Sequence, residues 1–195
     1  MGKKIALVYG TGEGQTRKIS QYIARRFAER GGQVELLDAR EVSKDDDFSH
    51  FDGVIVGASV HGGQYPKFVA KAIRRHQPRW EAMPSAFFSV SLSESDEKGT
   101  GREEVRDQIR HFLGELKWQP GLVESFAGAV PFSRYGFFKR TIMKWILRTR
   151  HGEVDTSRDY EYTDWSSVDT FVERFDDRMN REDTDRRAHR PSRAP

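Results

Sequence analysis

The sequence predicts an α/β fold built on a doubly wound parallel sheet, and three observations predict it. Short apolar runs of strand length alternate with amphipathic segments of helix length. The first run, residues 4–9, is almost continuously apolar, as a strand buried on both faces must be. A glycine-rich turn joins that run to the first helical segment.

The first helix carries Ile19, Ile23 and Phe27 at i, i+4 and i+8, with Ala24 and Ala28 beside them and Arg17, Lys18, Arg25 and Arg26 toward water. Gly31 and Gly32 stop it, because glycine accepts the left-handed conformation that closes a helix. Further strands are expected at 34–37, 53–58, 86–90 and 123–130, and further helices at 66 to about 75, 102–116 and 164–175. Two segments break the alternation. Residues 131–157 are too long for an ordinary connection and read as a basic insertion after the fifth strand, while the mixed-charge stretch 176–195 reads as a disordered tail. Residues 1–175 then form one domain.

Composition narrows the chemistry. Hydrophobic residues make up 36% of the 195 and aromatics 12%, enough for a packed core. Cysteine is absent, which excludes disulfides, thiolate metal sites and cysteine nucleophiles, so redox chemistry here needs a borrowed cofactor. No apolar run spans a membrane and no secretory leader is visible, so the protein is expected in the cytoplasm. The net charge of +3 is unevenly spread: Arg134, Lys139, Arg140, Lys144, Arg148 and Arg150 fall in one acid-free stretch, and the remainder is net acidic.

Gly10, Gly12 and Gly14 precede Gln15 and Thr16 at the helix start. A nucleoside-triphosphate loop would need a lysine before its Ser or Thr, and a dinucleotide fingerprint would need two residues before its third glycine; neither is present. What remains is a short turn whose amides, with the hydroxyls of Thr11 and Thr16, suit one phosphate at a helix N-terminus. On spacing alone a plain tight turn fits as well. The loop after the third strand, Ser59-Val60-His61-Gly62-Gly63, changes the balance. In the strand order 2-1-3-4-5 it opens on the same crevice as the glycine turn, and Ser89-Val90-Ser91-Leu92 closes a slot suited to a flat ring.

These residues carry a family resemblance. Tyr9-Gly10-Thr11 with Gly14-Gln15-Thr16 resembles the flavodoxin phosphate loop. Gly57-Ala58-Ser59, Met83-Pro84-Ser85-Ala86-Phe87, Gly152-Glu153-Val154-Asp155-Thr156 and Tyr162-Thr163-Asp164-Trp165 resemble the quinone-linked, menaquinone-dependent protoporphyrinogen dehydrogenases of bacteria. The similarity covers roughly residues 4–175. It implies a flavodoxin-like fold, FMN as cofactor, and oxidation of protoporphyrinogen IX to protoporphyrin IX in haem synthesis, with menaquinone or ubiquinone as acceptor. By position it assigns the FMN phosphate to Thr11, Gly12, Glu13, Gly14, Gln15 and Thr16, and the ring to Ser59, Val60, His61, Gly62, Gly63, Ser89, Val90, Ser91 and Leu92. Two residues depart from the pattern: Gly12 replaces an expected basic residue, and His61 stands where many flavodoxins place an aromatic. Glu13 can assist a dianion only through its N–H, so its side chain is expected to point outward. His61 is the one imidazole expected beside the ring and so the candidate proton carrier.

The insertion interleaves cations with large apolar groups. Read as a helix, it puts Phe138, Ile142, Trp145 and Ile146 on one face and Lys139, Arg140 and Lys144 toward the other flank, a layout for an anionic membrane surface. Arg134, Lys139, Arg140, Lys144, Trp145 and Arg148 are the residues assigned to that surface or to porphyrinogen propionates. No nucleic-acid motif accompanies them. The histidines are scattered, no metal site is expected, and no nucleophile elbow surrounds the serines. Asp38 and Asp52 are expected to serve turns or strand ends. The reading is thus a quinone-dependent flavoenzyme docked on the inner face of the cell membrane. Its rivals are a flavodoxin-type electron carrier, a class usually more acidic than this chain, and a non-catalytic membrane-docking module.

Overall fold

Five parallel strands form the central sheet in the order β2-β1-β3-β4-β5: β1 Lys4–Gly10, β2 Gln33–Asp38, β3 Gly53–Ser59, β4 Ser85–Ser91 and β5 Leu122–Ala127. The computed structural model describes residues 2–95, 100–136, 141, 143–144, 148 and 155–188. Leu7 sits level with Leu36 on one side and Ile55 on the other, so the central strands run in register through an apolar layer.

Alternation along the strands feeds two cores. Ala6, Val8, Val54, Val56 and Phe87 face α2 (Lys67–Glu81) and α3 (Thr100–Leu116). Ile5, Leu7, Ile55, Ala86 and Phe88 face α1 (Gln15–Glu29) and α4 (Trp165–Ala188). Helices thus cover both faces, as the doubly wound reading requires.

Three boundaries differ from the sequence reading. Helix α2 runs on past residue 75 to Glu81 with Pro78 inside it. Trp80 is fully buried there, stacked on His76 at 5.6 Å and 6.0 Å from Trp118, and burying that ring, worth about 1.5–3 kcal/mol or more, compensates the hydrogen bond that proline cannot make. Helix α4 continues beyond Phe175 to Ala188, so residues 176–188 are helical where a disordered tail was expected. Met179 is 2% exposed under the sheet and Arg178 pairs with Glu182 one turn on, which extends the helix's buried stripe and its surface pairing.

The third difference shapes the site. The expected strand 123–130 breaks at Gly128, whose N–H bonds to the Ser91 carbonyl and whose carbonyl accepts the Tyr162 N–H. The chain leaves the main sheet there, and β6 (Ala129–Val130) pairs antiparallel with β7 (Tyr160–Glu161), a strand not foreseen. Val130, Phe132 and Tyr135 form a third small core with Leu92, Met143 and Tyr160. The ends of the 131–157 segment are therefore anchored beside the C-terminal edge of the sheet; within it, Thr141, Met143, Lys144 and Arg148 are helical and 137–140, 142, 145–147 and 149–154 lie outside the described residues.

Candidate functional site

The C-terminal ends of β1, β3 and β4 bring three turns to one crevice. In the first, Thr11 Oγ1 accepts the Gly14 N–H at 2.9 Å, and Gly14, at φ 100°, swings the chain into α1. A side chain at that φ would be strained, so glycine belongs there. No side chain caps α1 and no acid stands in its first turn, which leaves the leading amides and the positive end of the helix dipole for a ligand. Thr16 is fully buried, and its Oγ1 has no hydrogen-bond partner among the described residues. Arg40, from outside the turn, donates to the Thr11 carbonyl at 2.9 Å and fixes the loop from behind.

Glu13 corrects the sequence reading. Its carboxylate does not point outward; it accepts the hydroxyl hydrogen of Tyr135, a residue 6% exposed on the segment after β6. Burial first, and this carboxylate next, push the Tyr135 phenol well above its ordinary value.

The second turn is a two-residue hairpin. His61 and Gln64 exchange backbone hydrogen bonds at 3.0 and 3.1 Å around Gly62 and Gly63, whose φ values of 57° and 76° demand glycine. His61 Nε2 lies 3.1 Å from Ser59 Oγ, and a Cβ on Gly12 would come within 2.4 Å of the same nitrogen. The glycine that replaces the expected basic residue is therefore what lets the imidazole sit against the first turn. The third turn is tied to the second by the Val60 N–H on the Val90 carbonyl at 2.9 Å.

Together the turns enclose a cavity of about 300 Å³. Thr11, Glu13, Gln15, Thr16, Ser59, Val60, His61, Gly62, Gly63, Val90, Ser91 and Leu92 line it, twelve of the residues assigned from sequence. Gly12 and Gly14 shape the first turn without lining this cavity. Ser89 is not brought to it: the residue is fully buried in β4, and its Oγ accepts the Tyr65 hydroxyl at 2.8 Å. Ser93, Glu104, Gln108, Gly128, Ala129 and Met143 also line the cavity and were missed. Glu104 and Gln108 read in sequence as the wet face of an amphipathic helix, and nothing local distinguishes a face turned to a cleft from one turned to bulk water.

Of the basic segment, Lys144 and Arg148 are exposed at helical positions. Lys139, Arg140, Trp145 and the side chain of Arg134 lie outside the described residues. Among the described residues no helix is long and apolar enough to cross a membrane.

Comparison with known proteins supplies the family. The flavodoxin domain family matches residues 6–157. Protoporphyrinogen IX dehydrogenase (quinone) of Escherichia coli strain K12 is 32% identical over 170 residues, 87% of this chain and 92% of that protein. The chain belongs to this dehydrogenase family. A relative of the same description from Leishmania major is 34% identical over 177 residues, 88% of this chain and 74% of its own length. Among solved structures, two-electron-reduced flavodoxin from Megasphaera elsdenii is 17% identical, with 62% of this chain and 84% of that one covered at a TM-score of 0.48.

A flavodoxin domain carries a flavin, and the residues present in this dehydrogenase-family site fit one. The uncapped α1 terminus and the orphaned Thr16 hydroxyl need an anionic acceptor, and the cavity is of ligand size. The segment 162–165, a motif read in sequence as carrying the resemblance, braces this end of the sheet. Thr163 Oγ1 donates to the Ala127 carbonyl at 2.7 Å and accepts from Gln15 Nε2 at 2.8 Å, while Trp165 packs on Tyr22 of α1 at 4.6 Å. The motif thus holds α1, and with it the first turn, against the end of β5.

Proposed function

We propose that the chain oxidises protoporphyrinogen IX to protoporphyrin IX with FMN as its cofactor, and passes the electrons to menaquinone or ubiquinone while docked on an anionic membrane surface. The observation that carries this reading is the 32% identity to the E. coli dehydrogenase across 92% of that protein. The one-phosphate cradle and the cavity formed by three loops support a mononucleotide cofactor, and exposed Lys144 and Arg148 support the membrane surface.

FMN, when bound, supplies the hydride acceptor, and three successive oxidations, each removing one hydride and one proton, convert the substrate. The chain binds, orients and excludes water. First-turn amides of α1 and Thr16 Oγ1 hold the phosphate. The turns around Gly62–Gly63 and Leu92 hold the ring, and Met143 closes the cavity from the segment after β6. His61, bonded to Ser59, is positioned to move a proton at Nε2.

The deciding experiment supplies anaerobic, FMN-loaded protein with protoporphyrinogen IX and a quinone and follows porphyrin fluorescence. The expected result is porphyrin formation that needs both FMN and quinone. A yellow protein that forms no porphyrin would be an electron carrier, and a protein that stays colourless with excess FMN would be a docking module; either overturns the proposal.

A further inference from the structure

Helix α3 buries Val105, Ile109 and Phe112, yet its polar pair Glu104 and Gln108 lines the cavity. Gln108 Nε2 donates to Glu104 Oε1 at 3.2 Å. A carboxylate can only accept, so this contact fixes which end of the amide faces Glu104 and turns Oε1 away from it. That oxygen is buried and has no hydrogen-bond partner among the described residues. The amide also neighbours the glycine turn: a Cβ on Gly63 would lie 3.9 Å from Gln108 Nε2. The residue lines the cavity while this oxygen is shielded from solvent in it, so the unmet acceptor reaches an N–H or O–H donor of a ligand by a turn of the amide toward the cavity.

Resting on the function proposed above, we infer that this pair is the substrate-facing wall: Gln108 Oε1 accepts a pyrrole N–H of the porphyrinogen, and Glu104 takes the proton that the oxidation releases. Loss of a hydride from a meso carbon leaves a cation conjugated with the adjoining pyrrole. In two of the three oxidations the pyrrole N–H bond then breaks, its electron pair stays on nitrogen to complete the C=N bond, and the proton passes to a Glu104 oxygen and on to water; in the third the proton leaves the remaining meso CH2, so the product keeps two N–H groups. Glu104 is exposed at the rim, which gives the proton an exit. Among the described residues the other carboxylate lining the cavity is Glu13, which already accepts from Tyr135.

The test uses FMN-loaded full chain and the variants Gln108→Leu, Gln108→Glu and Glu104→Gln under anaerobic conditions, with protoporphyrin IX binding followed by fluorescence quenching and FMN affinity measured separately. Gln108→Leu raises KM and weakens porphyrin binding about tenfold with kcat little changed, and Gln108→Glu, which keeps an acceptor, restores most of the binding. Glu104→Gln lowers kcat about a hundredfold and alters the pH profile of kcat, with FMN affinity unchanged. Variants that match an active wild type in kcat, KM and porphyrin affinity overturn the inference alone, as do effects confined to FMN affinity, which would place the pair on the flavin. A wild type that neither binds nor forms porphyrin overturns the proposed function and this inference with it.

Discussion

Tyr135 donates its hydroxyl hydrogen to the Glu13 carboxylate, so the one acid in the phosphate turn is held by a phenol from the far side of β6. The bond links the glycine turn directly to the segment after β6. It also offsets a negative charge beside the uncapped start of α1, where the proposed FMN phosphate would sit.

The two partners are expected to respond with opposite signs. Tyr135→Phe keeps the ring packed with Phe132 but leaves the Glu13 charge less compensated, and weakens FMN binding about threefold at low salt. Glu13→Gln removes the charge and tightens binding by a similar factor. Both effects shrink as salt rises, because the repulsion is screened. Titrations of FMN fluorescence at two ionic strengths read both; the same sign for the two variants would refute the electrostatic account.

Thr16→Val separates ligand binding from folding. The hydroxyl has no partner to lose among the described residues, so thermal stability without flavin is expected to be unchanged or slightly higher. Loss of a hydrogen bond to a charged phosphate, about 1.5–3 kcal/mol, raises the FMN Kd roughly ten- to hundredfold. Calorimetric titration paired with melting of the flavin-free protein gives both numbers, and an unaffected Kd would remove Thr16 from the phosphate site.

The site was legible where backbone chemistry dictates residue type. Gly14 at positive φ, the Gly62–Gly63 turn and the uncapped start of α1 are local facts, and local spacing announces them. Three kinds of feature were not. Ser89 lies two residues inside the end of β4, so its hydroxyl meets Tyr65, while Ser91 on the same strand face reaches the cavity. Glu13 was assigned by electrostatics to solvent, but its partner Tyr135 is more than a hundred residues away. The extension of α4 rests on Met179 finding a place beneath the sheet, a tertiary gain that outweighs the polar look of residues 176–188.

Gly12 and His61 are coupled by space. Gly12→Ala puts a methyl group on the imidazole at a separation no folded chain tolerates, so the ring must move, and weaker FMN binding is expected. In a His61→Ala background the methyl group meets no ring, and the Gly12→Ala penalty should largely vanish. A double-mutant cycle on FMN Kd measures this, with a coupling of about 0.5–3 kcal/mol expected for touching residues. His61→Ala alone also tests proton transfer: an unchanged pH profile of porphyrin formation would end that role.

The proposed docking on an anionic membrane rests on positive charge in the segment after β6. Arg140→Glu, Lys144→Glu and Arg148→Glu together reverse three charges, each basic residue being worth about 1 kcal/mol near an anionic leaflet. The triple variant is expected to stay in the supernatant when sedimented with anionic vesicles that pull down the wild type, while its activity with a water-soluble quinone persists. Equal pelleting of both proteins would refute the docking assignment.

Asp164 governs the acid limit of this end of the fold. It sits in the turn ahead of α4, accepting the Ser166 N–H at 2.9 Å and the hydroxyls of Ser166 and Ser167 at 2.6 Å, and those bonds hold its carboxyl down at about 2. Because the folded value lies below the ordinary 3.8, the stabilisation is present above that range and is lost as pH falls toward about 2. Asp164→Ala removes a helix cap worth about 1 kcal/mol, which for a chain of this size lowers Tm by about 2–4 °C at neutral pH. The gap between variant and wild type should close as pH drops to about 2, since protonation abolishes in the wild type the same acceptor that the substitution deletes. Melting curves from neutral pH downward check the convergence; a gap that stays constant across the range would mean that the carboxylate is not what caps α4.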